Sequence, residues 1–209
     1  MNSGCSYSVG IIGGAGAIAS ARFHLDFVKT WAKTHNAKTD DDFPTIKHIS
    51  QHLHLTERGV TDEDLTEAAV TSVITSLLGE NLTRIAVVCN SITRFIPNDS
   101  RFLTPVQACQ NSLKHVKQAW LLASDSTLQD KIYQTAYPHI AWNPVSITLE
   151  IQQIMAGGTI SLESFSIPED DTIVLGCTEL STINFNRPNL VSPTEEMIKI
   201  LCQHEPSSR

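Results

Sequence analysis

The sequence predicts an α/β fold with a largely parallel sheet architecture, and three observations predict it. Short runs rich in Ile and Val alternate with segments of helical periodicity along the whole chain, the pattern of strand–crossover–strand units. Two of these runs, Arg84–Val88 and Thr172–Leu175, are almost wholly apolar, as strands buried on both faces are. The chain has 209 residues, enough to bury a sizeable core as one large domain or two small ones.

The elements follow in order. Ser8–Ile12 reads as a short strand, and Gly13-Gly14-Ala15-Gly16 then turns into a helix from about Ala17 to His35. Phe23, Phe27 and Trp31 recur every four residues and give that helix its buried stripe. Residues 14–19, GAGAIA, also fit the G-x-G-x-x-A dinucleotide fingerprint. That fingerprint needs an acid at the end of the second strand, whereas Asp40, Asp41 and Asp42 precede the strand at Thr45–Ser50. A tight loop presenting backbone N–H groups to a small carboxylate fits the glycines equally well. Thr61 to Asp64 caps the next helix, with Leu65, Ala68, Ala69, Val73 and Leu77 as its inner face and Gly79 at its end. The strand to Val88 and Cys89 follow, then a short strand at Thr104–Val106 and a helix to about Val116. The second half restarts with a strand at Gln118–Ala123, a loop at Ser124–Thr127 and a helix from Leu128 to Tyr137, stopped by Pro138. A helix over about Ile147–Ala156 ends at Gly157-Gly158. The strand into Cys177 and a helix from Thr194 to Cys202 complete the pattern.

Composition excludes several function classes. Hydrophobic content of 41% and charged content of 18% are those of an ordinary globular protein. A formal net charge of −7 and a pI near 5.5 argue against nucleic-acid or anionic-membrane partners. No apolar stretch approaches the roughly 20 residues that cross a bilayer, and MNSGCSYSVG lacks the basic start of a secretory leader. The five cysteines (5, 89, 109, 177, 202) have no C-x-x-C spacing. They read as free thiols in a reducing compartment, with the cytoplasm as the expected location.

The chemistry concentrates at two echoing stretches, RIAVVCNS at Arg84–Ser91 and TIVLGCTEL at Thr172–Leu180. Each is a strand that stops at a cysteine followed by residue types common at a helix start. Strand ends of open α/β sheets are where ligands bind, and a helix start lowers a thiol pKa and holds an anion. Two such cysteines suggest two half-sites facing each other. Facing thiols suit inversion of a stereocentre: one thiolate removes a Cα proton while the other thiol delivers a proton from the far side. No cofactor is formally required. The weakly acidic α-proton demands donors for the enediolate-like transition state, a role for which Asn90, Ser91, Thr127 and Thr178 are placed. A thiol protease needs a histidine base and leaves the second cysteine idle. A redox pair needs sulfurs close enough to bond. His48, His52 and His54 invite a metal hypothesis, but no carboxylate or cysteine completes a familiar ligand spacing, and they read as surface or loop histidines. Arg58, in a loop after a strand, could reach a substrate carboxylate.

In combination, GIIGGAGA near the start, VVCNS in the middle and LGCTEL late resemble the aspartate/glutamate racemase superfamily, closest to its aspartate racemase branch. The resemblance spans nearly the whole chain. It implies two similar α/β domains with mainly parallel sheets related by pseudo-twofold symmetry, divided as 1–98 plus 193–209 and 99–192, with the active site in the cleft and a homodimer as the assembly. It also implies racemisation of an amino acid or dicarboxylate such as aspartate without pyridoxal phosphate, metal or other cofactor, with Cys89 and Cys177 as the two bases. Gly13, Gly14, Ala15, Asn90, Ser91, Thr127, Thr178 and Glu179 fall at the family's substrate-binding positions, and Arg58 at that of an arginine gripping a distal carboxylate. Ala15 and Ala17 replace the family's methionine and proline, Ile92-Thr93-Arg94 lacks a histidine, and QQIMAGGTIS lacks the lysine that aspartate racemases carry there. Related two-cysteine isomerases of hydantoin racemase or maleate isomerase type, and a catalytically silent carboxylate-binding relative, are the alternatives.

Overall fold

The computed structural model describes residues 5–56, 59–60 and 62–204. The first sheet begins with β1 (Ser8–Gly13), from which α1 (Ala17–His35) crosses to β2 (Thr45–Ser50), paired parallel to β1 along its length. Ala19, Phe23, Phe27 and Trp31 form the buried stripe of α1, and the Trp31 Nε1–H donates to the Asp42 carbonyl at 2.9 Å. A small antiparallel hairpin, β3 (Leu55–Thr56) and β4 (Gly59–Val60), precedes α2 (Glu63–Leu78). Asp62 caps α2 by accepting from the Leu65 N–H at 3.0 Å. The inner face of α2 is rotated from the expected one. Thr66, Ala69, Val70, Val73, Ile74 and Leu77 are buried while Leu65 and Ala68 face outward, because the stripe is set by packing on the sheet rather than by the first apolar residue after the cap. β5 (Arg84–Val87) pairs with the other side of β1, and β6 (Phe102–Leu103) closes the sheet in the order β2-β1-β5-β6.

After α3 (Pro105–Ala108) and α4 (Gln110–Leu113) the same plan is drawn again. β7 (Gln118–Ala123), α5 (Asp125–Gln129), α6 (Ile132–Ala136), β8 (Ala141–Ser146), α7 (Thr148–Met155), β9 (Ile173–Leu175) and β10 (Leu190–Val191) build a parallel sheet ordered β8-β7-β9-β10. Strand for strand, β1, β2, β5 and β6 correspond to β7, β8, β9 and β10. Alternation along each strand splits the core between two faces. Val9, Ile11, Ala86 and Val88 face α1, while Ile12, Ile85 and Val87 face α2. In the second sheet Leu121 and Val174 face α4 and α6, while Leu122, Ile173 and Leu175 face α7.

The two units exchange their last helices. Val106, Cys109 and Leu113, which follow the first sheet, pack in the core of the second. Met197, Ile198 and Leu201 of α8 (Pro193–Cys202), which follows the second sheet, pack beneath α1 on the first. The first sheet continues past residue 98 to Leu103. One strand was not expected and two sequence expectations change for local reasons. β8 carries Pro144, which it tolerates as an edge strand. The helix expected from Leu128 begins at Asp125, with Ser124 as its cap, and breaks at Lys131, whose φ is 50°. The strand expected at Thr104–Val106 lies at Phe102–Leu103, and Thr104 instead caps α3. Among the described residues, no helix is long and apolar enough to cross a membrane.

Candidate active site

β1, β5 and β9 all end at a cavity of about 370 Å³ between the two units. It is formed where the chain leaves the strands, as expected at the carboxyl edge of parallel sheets. The turn after β1 brings in Gly14, Ala15, Gly16 and Ala17. Gly14 has φ +100°, and a methyl there would stand 1.8 Å from the Gln51 carbonyl oxygen, so only glycine fits. Gly16, with φ +76°, is as constrained from the other unit: a methyl would lie 2.2 Å from Glu179 Oε1. Gly13, expected at the site, ends β1 against His48 and Ser20 and does not line the cavity.

Cys89 and Cys177 line the same cavity from opposite units, buried and unbonded. Neither sits at the start of an α-helix as the sequence suggested. Short 3-10 turns, Thr93–Phe95 and Thr178–Thr182, follow them instead, so helix-dipole help is small and the side chains around each sulfur decide its state. Burial, followed by the nearby Glu179 carboxylate, pushes the Cys89 thiol up to about 12, while the N–H groups of Ser91 and Ile92 and the Ser91 hydroxyl pull it back down. Burial and Glu179 push the Cys177 thiol well up as well, with the charge of Cys89 adding to the shift. The Cys177 Sγ donates to Glu179 Oε2 at 2.7 Å, and the Thr178 hydroxyl reaches the same oxygen at 3.4 Å. Glu179, expected to bind substrate, is thus the hydrogen-bond acceptor of the Cys177 thiol.

The remaining expected residues divide by what they touch. Asn90 is buried and spans the units: its Nδ2–H donates to the Gly176 carbonyl at 2.8 Å, and the Tyr133 hydroxyl approaches its Oδ1 at 3.5 Å. It holds the two cysteine loops together, and both ends of its amide are engaged. Ser91 lines the cavity beside Cys89. Thr127 accepts from the Ser124 hydroxyl at 3.1 Å, which leaves its own hydroxyl proton for the cavity it lines. Arg58 lies outside the described residues.

The sequence reading missed Gly16, His52, Leu55, Ser124, Ile151, Met155 and Gly176, all of which line the cavity. Gly16 was legible as the fourth residue of GGAG and Gly176 as the glycine of LGCTEL. The others arrive through topology. Of the three histidines, His52 reaches the cavity and lies against His54, the rings tilted by 43° with centres 4.5 Å apart. His48 is half-buried on β2, its Nδ1 3.3 Å from His24 Nδ1, and burial followed by His24 lowers its pKa. Among the described residues, no three His, Cys, Asp or Glu side chains are placed to hold a metal.

No protein-family model matches the chain, and no curated protein sequence matches it significantly. Solved structures do. The chain is similar to Picrophilus torridus aspartate racemase with a TM-score of 0.76 at 19% identity, over 94% of this chain and 93% of that one. It is similar to the Thermus thermophilus glutamate racemase solved with β-chloro-D-alanine (TM-score 0.68, 12% identity, 96% and 80% coverage). It is also similar to Klebsiella pneumoniae allantoin racemase (TM-score 0.57, 14% identity, 94% and 86% coverage). The fold is thus the two-unit α/β fold of these racemases.

Proposed function

We propose that the protein is a cofactor-independent racemase that inverts the α-carbon of an amino acid by two-base transfer between Cys89 and Cys177. One observation carries this reading: two unbonded thiols close equivalent strands of two matching sheets and line one cavity. The fold shared with three racemases supports it.

The chemistry follows from the neighbours of each sulfur. Glu179 accepts the Cys177 proton, leaving a thiolate that removes the Cα proton from one face. The electrons of the broken C–H bond pass into the substrate carboxylate, giving an enediolate-like species. The Cys89 thiol then gives its proton to the opposite face, the electrons return to form the new C–H bond, and Cys89 is left as the thiolate. Two N–H groups and the Ser91 hydroxyl stabilise that charge. The reverse sequence handles the other enantiomer. Thr127 offers its hydroxyl to the developing oxyanion, while Asn90 fixes the spacing of the two loops.

A cyclic ureide substrate is the second reading, favoured by the allantoin racemase neighbour. The test is incubation in D2O with separate enantiomers of an amino-acid panel and of allantoin, followed by mass spectrometry and chiral chromatography. Cα deuteration with inversion on an amino acid upholds the proposal, exchange on allantoin alone replaces it, and no exchange on any member sinks both.

A further inference from the structure

Resting on the racemase reading, we infer that the substrate's side chain is uncharged and apolar, and that Ile151, Met155 and Leu55 form its subsite. Ile151 and Met155 stand one turn apart on α7 and reach the cavity together. Leu55 enters it from the hairpin of the other unit. Met155 is 53% exposed, so the subsite opens toward the rim, where an unbranched thioether can adjust to side chains of different shape.

Charge counting points the same way. The described lining holds no Lys or Arg; besides the two thiols its ionisable side chains are His52 and the Glu179 carboxylate, and transfer of the Cys177 proton to Glu179 moves one negative charge onto sulfur without cancelling it. A neutral amino acid enters as a zwitterion and adds no net charge. A dicarboxylic amino acid would bring a further negative charge beside Glu179 and onto apolar carbon, where an unpaired carboxylate is costly.

The experiment compares leucine, methionine and norvaline with aspartate and glutamate by Cα deuterium exchange in D2O. The best apolar substrate should exceed aspartate in kcat/KM by roughly tenfold or more. Met155→Lys, at a half-exposed position that accepts a cation, should shift the ratio toward aspartate. Aspartate exchanging as fast as the best apolar member overturns the inference and leaves the racemase reading intact. That is the result a grip by Arg58 on a distal carboxylate would give. If no amino acid exchanges, the racemase reading falls, and thiol protection decides the subsite alone. Iodoacetamide labelling of Cys89 and Cys177 is followed by mass spectrometry with 4-methylpentanoate or succinate present. Protection by 4-methylpentanoate at a tenfold lower concentration upholds the apolar subsite, and equal protection, or none by either acid, overturns it.

Discussion

Cys89 and Cys177 occupy equivalent places in two sheets of one topology, yet their surroundings have opposite polarity. In each case the residue two positions on from the cysteine reaches the sulfur. After Cys89 it is Ser91, whose hydroxyl and N–H are donors that favour a thiolate. After Cys177 it is Glu179, an acceptor that favours the thiol and can take its proton. Duplicated backbone thus brings two sulfurs to one cavity, where burial keeps both protonated at rest, while the residue two positions on differs in sign. The lesson is that the fold sets where the two sulfurs are and the residue at the second position sets how readily each gives up its proton.

The most drastic way to break the comparison is to remove a sulfur. Cys89→Ser and Cys177→Ser should each lower racemisation by about a thousandfold or more, because a hydroxyl is a far poorer acid and base than a thiol. Each variant should retain deuterium exchange on one enantiomer only, and the two should differ in which. Wild-type rates in both single variants would remove the two-base mechanism.

Glu179→Gln sharpens the asymmetry. The amide keeps the shape but cannot take the Cys177 proton, so the enantiomer deprotonated by Cys177 should lose about a hundredfold in kcat/KM and the other enantiomer much less. Equal loss for both would place Glu179 outside the Cys177 half.

The pH dependence carries a definite sign. Both thiols lie above the ordinary value of 9.0, Cys89 at about 12, so kcat/KM should rise with pH through the neutral range without levelling off below 9. Glu179 raises both thiols, so Glu179→Gln should move that limb to lower pH. Stability runs the other way. The native state holds these protons more tightly than the unfolded chain, as it does those of Cys109 at about 12 and Cys202 at about 11. Their contribution is whole below pH 9 and is lost as pH rises from there toward 12. Thermal melts at stepped pH would show it, and a melting temperature flat to pH 12 would contradict it.

Much of this was legible in the sequence. Buried strands such as β1, β5 and β7 were visible as apolar runs, and α1 through its Phe23–Phe27–Trp31 spacing, because burial on a regular element imposes a period. β8 was hidden by Pro144 and β10 by being two residues long, and the equally short β6 was misplaced by two residues, since short edge strands need little hydrophobic pattern. The cysteines announced themselves by context. The polarity of their halves did not, because it depends on whether Glu179 turns back toward Cys177 or outward to substrate. The apolar subsite was illegible for a related reason: Ile151 and Met155 look like core periodicity until α7 is seen to border the cavity.

Asn90→Ala tests what the two halves share. It strands the Gly176 carbonyl and the Tyr133 hydroxyl in a buried place, at a cost of about 1–3 kcal/mol of stability, measurable by denaturant melts. Because it loosens both loops together, it should slow both enantiomers alike. A selective loss on one enantiomer would assign Asn90 to one half instead.

The smallest effect belongs to Ser91→Ala. The Cys89 sulfur faces three donors, and two of them, the N–H groups of residues 91 and 92, belong to the backbone and survive the substitution. Losing one hydroxyl donor to a charged acceptor costs about 1.5 kcal/mol, or roughly a tenfold loss confined to the enantiomer that Cys89 deprotonates. The Cys89 thiol should become less acidic, so the variant's alkaline limb should move to higher pH, opposite to the shift in Glu179→Gln. Opposite displacements from substitutions at the same relative position in the two halves are what a donor half and an acceptor half require. Profiles measured separately for each enantiomer decide the point. If both limbs move the same way, the two thiols titrate in one shared environment and the polarity difference has no part in the reaction.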